Sequence, residues 1–289
     1  MSRQVSYIKG DTMYHQRMRR METETPCGIV PRMTEIVDGK KIAENVYARL
    51  PKKHLKLGIL VGEKNPVIDS FVRIKEKAAL RLGVELVREE LAEGAATAEA
   101  VAAVHTLAAK TDGIIVQLPL PSQIKVEKVL AAIPADKDVD GISSAPIVRP
   151  PVAEAVKEIL EYANIAVKGK RAVVVGSGRL VGKPCASLLK ELGATVQILT
   201  HNDSLDALKD ADIVVLGAGE PGLVQPEHLK NSVVLIDAGT SETGGKVKGD
   251  ADPLCAEKAS VFTPVPGGVG PIAVAVIFKN LYELVELSK

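Results

Sequence analysis

The sequence predicts an α/β protein of two domains, and three observations carry that prediction. From Met33 onward, short apolar runs of strand length alternate with longer amphipathic stretches, the pattern of parallel strands layered with helices. One apolar run leads at once into a glycine-rich turn and a helix, as in a dinucleotide-binding βαβ unit. A chain of 289 residues with 46% apolar content is long enough to build two cores.

Composition narrows the partners. A net charge of +1 gives neither nucleic acid nor a membrane surface anything to attract, so small molecules are expected. Cys27, Cys185 and Cys255 form no C-x-x-C pair and are too few for a disulfide framework or a zinc site, which points to a reducing cytoplasm. No histidine and carboxylate group has metal-ligand spacing, and no metal is expected. No apolar run approaches the ~20 residues that cross a bilayer.

The elements follow in order. Residues 1–32 show no apolar period and, with Met33, hold all five methionines, so they are expected to lie outside the fold. They read as upstream-start sequence or as an Arg-bearing targeting segment, although Asp11, Glu22 and Glu24 count against a transit peptide. The first domain, 33–149, contains the strand runs "LKLGILVG", "GVELVREEL" and "TDGIIVQL". Between the first two lies "SFVRIKEKAALRLG", a helix with Ser70 as its cap and Gly83 as its end. At about 100° per residue, Phe71, Val72, Ile74, Ala78, Ala79 and Leu82 share one side. Lys75 falls in the middle of that side, where a lysine either snorkels outward or is held in a site.

A boundary is expected near Arg149 to Val152, in "VRPPV". The second domain, 150–271, opens with a helix over 153–165 and continues through "GKRAVVVGSGRLVGKPCASLLKELGATVQILTH" to the strands "ADIVVLGAG" and "SVVLIDAG". A last helix from Ile272 to Leu287 follows "TPVPGGVGP", and residues 272–289 are expected to complete the first domain.

Several of these features suggest chemistry. Gly176, Gly178 and Gly182 have the setting a pyrophosphate needs: a strand before them, a helix N-terminus after them. The next strand ends in Thr200, His201 and Asn202, with Asp203 one step late for a ribose 2′-hydroxyl. That end tolerates a 2′-phosphate, which Arg179 or Lys183 is placed to approach, so NADP is favoured over NAD. Gln117 ends a strand that Pro119 and Pro121 terminate, facing either a ligand crevice or water. Asp138, Asp140 and Gly141 read as a turn or as part of a site. "TPVPGGVGP" has the backbone of a close approach, against which another segment should pack.

Taken together, Phe71 to Lys75, "VQLPLP", "KDVDG", "VVVGSGRLVGKP", "GDAD" and "TPVPGGVGP" resemble, in order, the bifunctional methylenetetrahydrofolate dehydrogenase/cyclohydrolase family. The resemblance runs from about Met33 to the C-terminus. It implies an α/β catalytic domain plus a Rossmann-type NAD(P)-binding domain with a parallel sheet, usually in a homodimer, with a tetrahydrofolate derivative bound between them. It implies Lys75, Gln117 and Asp140 as the working residues, and Phe71, Val116, Leu118, Pro119, Pro266, Gly267 and Gly268 beside the substrate. On the cofactor side it implies Gly176, Ser177, Gly178, Val181, Gly182, His201, Asn202, Ala218, Gly219 and Ala273. Some positions depart from the family pattern. Phe71 stands for a tyrosine, "PPVA" at Pro150 to Ala153 (with Pro151 and Val152) for P-C-T-P, Ser177 and Gly178 for arginine and serine, Asn202 for serine, and Ala273 for threonine. These departures leave open a cyclohydrolase or folate-binding protein whose dehydrogenase is weak or lost.

Overall fold

The computed structural model describes residues 34–289 apart from 64–65 and 244–245. The extension expected over 1–32 lies outside the described residues. The first sheet contains β2 (Lys56–Val61), β3 (Glu85–Glu90) and β4 (Gly113–Gln117), all parallel, in the order β3-β2-β4. β2 and β4 are apolar on both faces and buried, as strands covered by helices on each side must be, whereas the charged "ELVREE" of β3 takes an edge. The covering helices are α2 (Pro66–Leu82) and α3 (Thr97–Lys110), with α4 (Val126–Ala131) beyond β4. α1 (Gly39–Ala48) precedes this sheet and is capped by Asp38, whose carboxylate accepts from the Lys40 and Lys41 amides.

α2 begins a turn earlier than the sequence suggests, so Ser70 lies inside the helix and is not its cap. Pro66 occupies the first position, where a missing N–H costs nothing. Gly83, at φ +68°, does end it. Ile68, Val72 and Ala79 are buried along one line of the helix, and Lys75 falls on that same line. Phe71 and Ile74, expected on the core side, are 37% and 46% exposed, because the apolar arc is wider than the strip the sheet covers.

The second domain contains α5 (Pro151–Tyr162), β5 (Arg171–Val175), α6 (Gly182–Glu191), β6 (Thr195–Leu199), β7 (Ile213–Leu216) and β8 (Val233–Asp237). It continues with a short antiparallel ribbon of β9 (Ser241–Thr243) and β10 (Lys246–Lys248), then β11 (Ala259–Phe262). The main sheet is parallel throughout, in the order β11-β8-β7-β5-β6, with one further strand outside β11. Its outermost strand, β1 (Glu35–Ile36), comes from the segment the sequence assigns to the first domain and pairs with Val261 and Phe262. A two-residue strand has no period to read.

The last helix, α7 (Val269–Leu287), starts three residues before Ile272, with Pro271 tolerated in its first turn. Val269, Ile272 and Val276 pack in the core of the second sheet with Val174 and Ile236. Ile277, Phe278, Leu281 and Leu284 pack in the core of the first sheet with Leu57, Ile59 and Ile115. One helix thus serves both cores, and an ion-pair network fixes its flank: Lys279 meets Glu154 and Glu158 of α5, which also hold Arg149 and Arg49.

Candidate active site

In each parallel sheet the chain leaves a central strand in one direction and returns on the other side. Ligands bind at the carboxyl end of such a switch point. In the first sheet β2 is that strand, with β3 and β4 on either side, and Val61 pairs with Gln117 at the carboxyl end. Gln117 is buried there, and its Nε2 donates to the Leu118 carbonyl at 2.9 Å, which turns Oε1 outward. Lys75 Nζ donates to that Oε1 at 2.9 Å. The lysine that helix period alone left between snorkelling and a site, and that the family resemblance implies as a working residue, is turned inward.

Asp140 lies close enough for its charge to act on Lys75. Burial lowers the Lys75 ammonium below its usual range, with Asp140 opposing the shift. Burial likewise pushes the Asp140 carboxyl up to about 7, with Lys75 drawing it down and Asp138 adding to the rise. Both groups can therefore change protonation nearer neutrality than their free counterparts. Phe71, one turn before Lys75 on α2, presents an exposed ring. Pro119 is exposed and Leu118 half-buried just beyond Gln117. Val116, expected beside the substrate, is instead in the core with Leu60, Ile114 and Leu120, since alternate residues of a buried strand point into the helix layer.

The switch point of the second sheet lies at β5, between β6 and β7. Gly176 follows β5 at φ +102°, and a Cβ there would fall 2.4 Å from the Gly217 carbonyl oxygen after β7. A Cβ on Gly182 would fall 2.0 Å from the Gly176 carbonyl oxygen, so the turn closes only with glycine at both positions. Ser177 and Gly178 are exposed, and a Cβ on Gly178 would meet nothing within 4 Å, so that side of the turn is open. Val181 is engaged in packing, its side chain lying where a Gly217 Cβ would stand. His201 and Asn202 are exposed at the end of β6.

One expectation at this end changes. Arg179, expected to approach a 2′-phosphate, forms a two-pronged ion pair with Glu127 of α4, which draws the glycine-rich loop onto the first domain. Asp203 accepts from both the amide and the hydroxyl of Thr200 at 2.7 Å, holding its carboxyl below the usual range and committing it to the turn.

Sequence reasoning missed Asp237 and Asp250. Asp250 is buried and accepts from the amides of Ala218 and Gly219 at 2.7 and 3.1 Å, so those N–H groups are already engaged within the protein. Asp237 accepts from Gly239 and Ala251, each at 2.9 Å, and burial pushes its carboxyl up to about 6. "GDAD" was the available signal, but its partners lie more than thirty residues upstream. Gly39 was also missed. Its amide donates to the Gly267 carbonyl at 3.0 Å, and a Cβ there would fall 1.8 Å from the Gly268 carbonyl oxygen. The start of α1 is therefore what packs on "TPVPGGVGP", leaving Pro266 exposed and Gly268 buried, while Ala273 is half-buried on the next turn of α7.

Among the described residues no cluster of histidine, cysteine or acidic side chains is placed to hold a metal ion. No described helix is long and apolar enough to cross a membrane.

Comparison with known proteins agrees with this geometry. A family model described as the catalytic domain of tetrahydrofolate dehydrogenase/cyclohydrolase matches residues 37–140, and its NAD(P)-binding domain matches 150–289. The bifunctional protein FolD of Staphylococcus aureus is 37% identical over 273 residues, 86% of this chain and 95% of the relative. Among solved structures, the Trypanosoma brucei methylenetetrahydrofolate dehydrogenase-cyclohydrolase, complexed with NADP and an inhibitor, aligns with a TM-score of 0.81 at 30% identity, covering 88% of this chain and 98% of that one. The bifunctional enzyme of Campylobacter jejuni aligns at 0.80 and 29% identity, covering 89% of this chain and 100% of that one.

Proposed function

Because the chain belongs to the tetrahydrofolate dehydrogenase/cyclohydrolase family, we propose that Lys75, Gln117 and Asp140 carry both reactions of that family at one site. It oxidises 5,10-methylenetetrahydrofolate to 5,10-methenyltetrahydrofolate with NADP and hydrolyses the product to 10-formyltetrahydrofolate. The observation that carries the assignment is the Lys75 to Gln117 hydrogen bond at 2.9 Å beside a carboxyl raised to about 7.

The protein's residues fit NADP. The turn closes tightly only with glycine at 176 and 182, where a Cβ would meet backbone, Gly178 leaves its outer side open, and α6 starts there. Gly176, Ser177, Gly178 and Gly182 would hold the pyrophosphate, with His201 and Asn202 toward the ribose. When bound, the cofactor accepts the hydride that the methylene carbon gives up. No proton leaves in that step, so the residues' task is to place the carbon, with Phe71 against the pterin ring and Asp140 accepting from its amino and ring nitrogens.

Hydrolysis needs proton transfer. Burial favours the neutral amine of Lys75, and the cationic methenyl carbon adds to that preference. The amine takes one proton from the attacking water as the new C–O bond forms. The resulting ammonium gives that proton to the ring nitrogen as its bond to the carbon breaks. The remaining hydroxyl proton leaves to solvent as the formyl group forms. Gln117 Oε1 fixes the amine throughout.

The reading extends to a homodimer in the cytoplasm that supplies formyl groups to steps such as purine synthesis. Molecular mass in solution tests the assembly. The activity is tested on one preparation, by nicotinamide reduction with methylenetetrahydrofolate and each cofactor in turn, and by decay of the methenyl compound. A much larger loss of hydrolysis than of reduction is expected in Lys75 and Gln117 variants; activity equal to wild type in all variants would refute the site.

A further inference from the structure

We propose that Asn280 is a positioning residue that ties the loop bearing Asp140 to the linker between the two domains. Asn280 is on α7, the helix that serves both cores, and is only 2% exposed. Its Nδ2 donates to the Val139 carbonyl at 2.8 Å and to the Arg149 carbonyl at 3.0 Å. Val139 directly precedes Asp140, and Arg149 directly precedes the two prolines that start α5. One amide group therefore uses both its hydrogens to join two segments, and each acceptor is a backbone oxygen that would otherwise lack this partner.

The geometry around the amide leaves no slack. Gly141 has φ +61°, and a Cβ there would fall 2.7 Å from the Val148 carbonyl oxygen and 2.9 Å from the Pro150 nitrogen. Loop and linker are thus in backbone contact beside the Asn280 amide. On the other side, the buried Asp138 accepts from the Ser143 amide at 2.7 Å and closes the turn. Val139 itself is fully buried in the first core with Phe278 and Leu281. Asp140 is consequently placed by what its neighbours hold, and the Asn280 amide is the side-chain link from that placement to the linker.

The inference rests on the reading of Asp140 as a folate-binding group, and the test separates the two. In the full chain, Asn280→Leu keeps the branched shape and the number of side-chain heavy atoms, in a bulkier side chain, and removes both donors. We expect KM for the methenyl compound to rise about tenfold, the effect of one displaced hydrogen bond, with kcat within about threefold of wild type and KM for NADP unchanged. A purely structural asparagine would lower the melting temperature and leave the folate KM of the folded enzyme alone; that result overturns the proposal. Asn280→Ser, read the same way, decides if the leucine variant does not fold. If neither folds, hydrogen exchange on wild-type protein decides. Slowing at 139–143 and 148–149 together on adding the methenyl compound supports the tie, and slowing at the first segment alone overturns it. Asp140→Asn is the control. If it leaves the folate KM unchanged, the reading of Asp140 fails; if it raises KM while the Asn280 variants do not, only the inference fails.

Discussion

Replacing Lys75 by methionine removes one ammonium and keeps an unbranched stem of nearly the same length, so the packing of α2 should survive. Two losses follow from the structure. The amine that faces Gln117 Oε1 at 2.9 Å is gone, and with it the proton shuttle, a loss of roughly 10²–10⁴ in kcat for hydrolysis. The second loss is electrostatic. Lys75 is what draws the Asp140 carboxyl down, so without it burial raises that carboxyl further and a larger share of Asp140 is protonated at neutral pH. The folate KM should therefore rise near neutrality and recover as pH increases, whereas kcat for hydrolysis should not recover. The assay follows enzyme-dependent decay of the methenyl compound from about pH 6 to about pH 9, with the uncatalysed rate subtracted, and NADP reduction on the same preparation. Hydride transfer should suffer less, since it removes no proton. Unchanged hydrolysis in a variant shown by its melting curve to be folded would refute the reasoning and make Lys75 a packing residue.

Asp140→Asn should weaken folate binding yet stabilise the free protein at alkaline pH. The folded carboxyl titrates near 7 against the ordinary 3.8, so the folded state still holds a proton the unfolded state has released, and stability falls as pH rises through that window. Asparagine removes this penalty, worth about 1–4 kcal/mol above the window and nothing below it; a melting temperature with the same pH dependence as wild type would contradict the burial argument. Gly182→Ala should open the glycine turn, because its Cβ would fall 2.0 Å from the Gly176 carbonyl oxygen. A destabilisation of about 1–3 kcal/mol in urea titration and a larger loss of NADP affinity than of hydrolysis are expected, and tight NADP binding in the variant would argue against that cradle. The ratio of kcat/KM should favour NADP over NAD, since Asp203 is committed to Thr200 and β6 ends in no free carboxylate. A preference for NAD would mean that Asp203 leaves its turn for the ribose.

The alternation of strands and helices, the glycine turn after β5 and the place of Gln117 at a strand end were legible in the chain alone, because apolar period, glycine and proline act on neighbours a few residues away. The resemblance of "VQLPLP", "KDVDG" and "TPVPGGVGP" to a known family made the candidate site legible as well. What stayed hidden depends on partners far apart in sequence. Helix period alone left Lys75 two readings, and the contact that turns it inward comes from Gln117, 42 residues on. The two residues of β1 carry no period, yet they pair with β11 more than two hundred residues later. Arg179 looked available for a phosphate until Glu127, 52 residues upstream, engaged it, and Ala218 and Gly219 looked free to serve a ligand until Asp250 took their amides. Which half of α7 faces which core, and which flank of α2 leaves Phe71 in solvent, follows from how much of each apolar arc the sheets cover. Local sequence sets the shape each segment favours, and the packing of whole elements selects which polar groups meet.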